Sequence, residues 1–274
     1  MIKEMKKIKS ESKISILLSF TYSIFFIYYI IFQYFAFSPI LSIVRESSNY
    51  DEIYSKNDIG FLYWKGRHIN KIIFYLNDWN GNCSTRIGKI NHLKRQFPDF
   101  SIVQIEYPGY GISSHLNLSI ETMIDACGDM IMEFINERKI EKYCFWTEGM
   151  GGYILWRVMN RFEFEPKCIF YFNSFPSMED FFYHYYSYFG YLFIFSSIYY
   201  DYKKIKYPKN KPNIYYFYND ELNMDKYSQT MYFSNKDIPI EKKKIIKMEG
   251  KGNSTYFLSK NLNIMENILK KNFI

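Results

Sequence analysis

Beyond about residue 58 the chain alternates two kinds of apolar stretch. The first is short, continuous and rich in β-branched and aromatic residues: "KIIFYL" (71–76), "FSIVQIEY" (100–107), "KYCFWT" (142–147), "KCIFYFNS" (167–174), "NIYYFYN" (213–219) and "KKIIKME" (243–249). Runs of this kind, without polar alternation, suit strands covered on both faces, as parallel strands are. The second kind is longer, and its apolar positions return at helical spacing: "LSIETMIDACGDMIMEFINERK" and "MGGYILWRVMNRFEF". Ser119, Thr122 and Asp125 near the start of the former are helix-entry residues. A further strand or hairpin is predicted over "IGFLYWKGRH", with its turn at Gly66. Strands alternating with helices in this way predict one α/β domain over 58–274, a mostly parallel twisted sheet flanked by helices.

The front of the chain has a different pattern. No charged residue occurs from Ile14 to Val44, and a bilayer core of about 30 Å needs only about 20 apolar residues in a helix. The stretch 14–44 is therefore predicted to be an uncleaved transmembrane anchor, since a signal peptide's apolar core is shorter and ends in small residues. The tail 1–13 before it carries five Lys against two Glu, while the linker 45–57 after it is mixed in sign. The positive-inside bias then leaves the N-terminus in the cytosol and the domain across the membrane, in the ER lumen or outside the cell. A second uncharged stretch, Phe181 to Tyr200, lies in a segment, 178–204, read as an aromatic cap or membrane-facing piece; its seven Tyr suit an interface better than a hydrocarbon core.

Composition narrows the classes. The 274 residues are 48 % hydrophobic and 23 % charged, a globular balance, and a net charge of +7 without a nucleic-acid motif does not point to nucleic acid. Cys83, Cys127, Cys144 and Cys168 have no C-x-x-C spacing and no nearby His set, so no metal site is predicted. Cys144 and Cys168 fall inside apolar runs and read as small hydrophobes. Sequons at Asn82, Asn117 and Asn253 would accept glycans only in a secretory lumen.

Six segments sit in order at the ends of the predicted strands: "FYLNDWNGNCSTR", "IEYPGYGISS", "WTEGMGGYI", "NSFPSMEDF", "FYNDELNMD" and "MEGKGNSTY". Together they resemble the α/β-hydrolase superfamily, and most closely its single-pass, membrane-anchored branch related to serine aminopeptidases, lysophospholipases and depalmitoylating thioesterases. The resemblance runs from about residue 58 to 272, and "YPGYGISS" is its most specific piece. It implies an α/β-hydrolase fold with a nucleophile in a G-x-S-x-G strand-to-helix turn and backbone N–H groups beside it to hold an oxyanion.

The same resemblance fixes the registers. The nucleophile position is Gly149, within Thr147-Glu148-Gly149-Met150-Gly151-Gly152, and it has no side chain with which to attack. The general-base position is Gly252, followed by Asn253, and neither can take a proton near neutral pH as imidazole can. Asp220 matches the acid, although a turn or helix-entry aspartate explains it equally well. The oxyanion-equivalent residues are Asn77, Asp78 and Trp79, where such enzymes carry a glycine-rich loop, together with the Met150 N–H. Glu148, beside the elbow, is expected to point away from the site; Cys144, Ser113 and Ser174 lie near strand ends without a partnered base. The expectation is a membrane-anchored, catalytically silent α/β-hydrolase-like protein that binds or scaffolds, needs no cofactor, and has the bilayer and an acyl lipid or protein segment as partners. The alternative is an esterase, thioesterase or lipase working through non-standard residues.

Overall fold

The structure, a computed structural model, describes residue 15 and residues 18–28, 50–56, 59–78, 82–113, 120–177, 180, 183, 187, 209–219, 227, 229, 231–233, 235–250 and 257–273. Eight strands form one sheet: β1 (Glu52–Lys56), β2 (Ile59–Trp64), β3 (His68–Leu76), β4 (Phe100–Ile105), β5 (Lys142–Glu148), β6 (Cys168–Phe172), β7 (Asn213–Tyr218) and β8 (Lys243–Lys247), in the order β1-β2-β4-β3-β5-β6-β7-β8. Pairing is antiparallel over β1-β2-β4 and parallel from β4 to β8. Four helices cover it: α1 (Cys83–Gln96), α2 (Ile120–Arg138), α3 (Met150–Arg161) and α4 (Ser259–Phe273).

The predicted hairpin with its turn at Gly66 forms differently. β2 does not pair with β3 but with β4, and its hairpin partner is β1, which lies in the stretch 45–57 read as linker. The alternation of Glu52–Lys56 is too short and too polar to stand out beside the apolar runs, so its strand character comes from pairing with β2. Gly66 is instead held at the start of β4, where its N–H donates to Ser101 Oγ at 2.9 Å; a Cβ there would meet the Phe100 carbonyl at 2.3 Å.

Each face of the sheet has its own core. On one side α2 and α3 pack Ile124, Ile131, Phe134, Ile154 and Val158 against Phe61, Phe74 and Phe145. The Phe134 ring meets the Phe61 ring edge-on at 4.9 Å and the Phe74 ring at 5.9 Å. On the other side α1 and α4 bring Ile90, Leu93, Leu262, Met265 and Leu269 onto Ile73, Trp146 and Phe170. Trp146 is fully buried and stacks on Phe172 at 4.4 Å, and such aromatic pairs add about 0.5–1.5 kcal/mol beyond the area they bury. Strands with large apolar groups on both faces are what the continuous runs require.

Most of the predicted anchor 14–44 and of the segment 178–204 lies outside the described residues. Residues 18–28 are helical, with Leu18, Phe20, Tyr22, Phe25 and Ile27 more than half exposed. Among the described residues no helix is long and apolar enough to cross a membrane.

Asn82 is fully buried and caps α1: its Oδ1 accepts from the Thr85 N–H at 3.1 Å. A glycan on that sequon is incompatible with the fold. Asn82→Ala is expected to lower stability by about 1 kcal/mol, measured by urea unfolding, and peptide mapping of the folded chain should find Asn82 unmodified.

Candidate functional site

The C-terminal ends of β3, β5 and β6 meet at one point. There β5 turns directly into α3 through Gly149, whose φ of 51° and ψ of −118° lie in a region that residues other than glycine rarely adopt. The Gly149 N–H donates to the Phe172 carbonyl of β6 at 3.0 Å, and the Gly152 N–H to the Gly149 carbonyl at 3.2 Å. The two following glycines are steric requirements. A Cβ on Gly151 would lie 2.4 Å from the Leu76 carbonyl oxygen of β3, and one on Gly152 would lie 2.1 Å from Ser174 Oγ. The sharp strand-to-helix elbow is therefore present, with glycine as its central residue.

A carboxylate from the neighbouring loop fills the space this leaves. A Cβ on Gly149 would lie 2.4 Å from Asp78 Oδ1, 2.5 Å from its Cγ and 2.9 Å from its Oδ2. Asp78 Oδ1 also accepts from the Met150 N–H at 3.0 Å, the first N–H of α3 and the donor that in a working elbow would face the developing oxyanion. Charge-assisted hydrogen bonding and the positive end of the helix dipole both favour a carboxylate here. A substrate oxyanion would have to displace Asp78, against like charge. Asn77, fully buried, holds the loop from below: its Nδ2 donates to the Asp78 carbonyl at 3.1 Å, and the Tyr107 hydroxyl donates to the Asn77 carbonyl at 2.5 Å.

The turn that carries Tyr107 is built on a buried acid, Glu106, which no local sequence pattern singles out. Both oxygens of Glu106 accept from the Cys83 N–H, at 3.1 and 3.0 Å, so the carboxyl sits on the first turn of α1. Gly109 and Gly111 have φ of 79° and 48°, and a Cβ on Gly111 would lie 2.1 Å from Glu106 Oε2. The glycines of "YPGYG" are thus needed by the turn and by this acid. Burial pushes the Glu106 carboxyl up to about 7, more than the hydrogen bonds from Cys83 and Ile112 pull it down. Burial also pushes the Tyr110 phenol up, with the charges of Asp78 and Glu106 adding to it.

The other described candidates are held in local or core contacts. Glu148 points away from the elbow into the α1 side of the sheet, where it accepts from the Tyr75 hydroxyl at 2.5 Å and pairs with Lys89 at 2.6 Å. Ser113 Oγ accepts from the Gly60 N–H and donates to the Glu106 carbonyl, both at 2.9 Å, and Ser174 Oγ donates to the Phe172 carbonyl at 3.4 Å. Cys144 lies in the core. Trp79, Asp220, Gly252 and Asn253 lie outside the described residues. Among the described residues no group of three or more His, Cys, Asp or Glu is placed to hold a metal ion.

No known protein family's sequence profile matches the chain, and no curated protein matches it in sequence. Solved structures do match in shape. A Pyrococcus furiosus esterase superposes with a TM-score of 0.61 at 13 % identity, over 85 % of this chain and 98 % of that one. MenH from S. aureus does so with a TM-score of 0.56 at 8 % identity, over 78 % and 99 %. An alpha/beta hydrolase enzyme from the metagenome of Mar Chica lagoon sediments, Morocco, does so with a TM-score of 0.53 at 12 % identity, over 82 % and 100 %. Likeness at such identities is likeness of fold, and the fold of this chain is that of the α/β-hydrolases.

Two outcomes follow from this geometry. Gly149→Ser alone should destabilise the chain, by about 1–3 kcal/mol for the backbone conformation plus the clash with Asp78. Combining it with Asp78→Gly should recover at least about 1 kcal/mol of the loss as a positive coupling in a double-mutant cycle, read by urea unfolding. Glu106 gives a pH signature. Its carboxyl is raised from 4.5 to about 7, so between those values the native state keeps a proton that the unfolded chain has lost. Stability should then fall by about 3 kcal/mol as pH rises through that window, and Glu106→Gln should abolish this fall, measured as unfolding free energy against pH.

Proposed function

We propose that the chain is a membrane-anchored, catalytically silent protein of α/β-hydrolase fold that works as a binding or scaffolding module. One observation carries the reading: Asp78, bonded to the Met150 N–H, occupies the volume that a nucleophile on Gly149 would need. In an active hydrolase the donors of that hole are held open for charge that develops only in the transition state; here the Met150 N–H is already taken by the Asp78 side chain. Loss of the catalytic unit leaves only the small residual rate due to the hole and substrate binding, and the hole is filled. Gly252 at the base position points the same way. The esterases of like fold favour turnover only so far as fold predicts chemistry, which is weak support without a nucleophile.

The uncharged stretch 14–44, with residues 18–28 helical and apolar on the outside, supports the anchor, with the domain on the extracytoplasmic side. The ligand class that suits the module is an acyl lipid or an apolar protein segment. The full chain in detergent should leave a panel of esters and thioesters unhydrolysed and a serine-directed phosphonate probe unreacted. The triple change Asp78→Gly, Gly149→Ser and Gly252→His should gain probe labelling. Turnover by the unaltered chain would overturn the reading. Deleting residues 1–45 should move the protein from the membrane pellet to the soluble fraction after cell lysis.

A further inference from the structure

The four cysteines are all buried and free, and two of them stand opposite each other. Cys144 of β5 and Cys168 of β6 are direct partners in the parallel ladder, so their side chains leave the same face of the sheet. Both are fully buried in the core beneath α1 and α4. Neighbouring strands run about 4.8 Å apart, inside the Cα separation of about 4.4–6.8 Å that a disulfide spans. Cys127 lies on the opposite face, on α2, and Cys83 donates its thiol to the Gln104 carbonyl.

We infer that Cys144 and Cys168 form a redox modification site, closing a disulfide between β5 and β6 when the chain folds against a low-molecular-weight disulfide such as oxidised glutathione. The step balances in two exchanges. The thiolate of one cysteine attacks a glutathione sulfur, forming a mixed disulfide and releasing one glutathione thiolate. The thiolate of the second cysteine then attacks the protein sulfur of that mixed disulfide and releases the other. The cysteine pair loses two protons and two electrons, and the glutathione disulfide gains them as two thiols.

Timing follows from burial. The Cys144 thiol is pushed well above its usual range by burial, with Cys168 adding to the rise, so Cys144 presents almost no thiolate while the chain is folded. Exchange therefore belongs to folding or to opening of the sheet, and a bridge once formed is shielded from reductant. Its place is not neutral for the elbow. β5 and β6 are the strands joined at the top by the Gly149 N–H to Phe172 carbonyl bond, and the bridge would tie them together lower in the same ladder, at the Cys144–Cys168 pair.

The test uses the full chain, unfolded and refolded in glutathione buffers of graded oxidised-to-reduced ratio, quenched in acid, alkylated and digested. Mass spectrometry should find one intramolecular bridge, Cys144 to Cys168, two hydrogens lighter than the reduced pair, while Cys83 and Cys127 carry alkyl groups. The bridged chain should unfold roughly 5–10 °C higher than the reduced one, and the difference should vanish in a Cys144→Ala, Cys168→Ala chain. The bridge should also appear, more slowly, when the folded chain is held in the same buffers. Four alkylated cysteines after refolding in the most oxidising buffer, or bridges to Cys83 or Cys127 in equal yield, would overturn the inference; because the readout is a peptide mass, it stands even if the alanine chain fails to fold.

Discussion

A strand that reaches the edge of a sheet and a helix that starts back across it can be joined by a single residue only if that residue takes a left-handed backbone. Gly149 does so, with φ at 51°, and the surrounding contacts leave it little choice. Its N–H is taken by β6, the next helical residues lie against the end of β3, and Ser174 fills the space beside Gly152. In hydrolases of this fold the strain of such a turn is spent on exposing a nucleophile. Here the residue that takes the strain is the one for which it costs least.

The electrostatics of the turn add a second demand. The first N–H of α3 still needs an acceptor, since a buried donor without one costs about 1–3 kcal/mol. Asp78 supplies it, and the loop that brings Asp78 there is fixed by Asn77 and, through Asn77, by Tyr107. Tyr107 in turn belongs to the turn held by Glu106 on α1. The chain of contacts runs from buried Glu106 to half-buried Asp78 through main-chain carbonyls, and so links the two ends of the site.

Much of this was legible in the sequence. The six apolar runs map onto β3 to β8 because strands covered on both faces have no polar alternation to confuse the reading. Gly149 as the elbow was legible because the Met-Gly-Gly that follows fixes its register. The β1-β2 hairpin was not, since a short polar strand is made by its partner and not by its own residues. Helices α1 and α4 carry apolar residues on one stripe only and are polar elsewhere, which hides them beside richer segments. That the Asp78 carboxylate lies on the Met150 N–H depends on the meeting of two loop ends 72 residues apart, which no local pattern encodes. Glu106 was silent for the same reason.

The glycines that follow the elbow have a wider consequence. Gly151 is required by the Leu76 carbonyl and Gly152 by Ser174, and neither contact involves substrate or proton transfer. The pattern by which such turns are recognised thus records how tightly a helix sits on two strands. It is a measurement of clearance, and it reads the same whether or not the residue at the elbow can react.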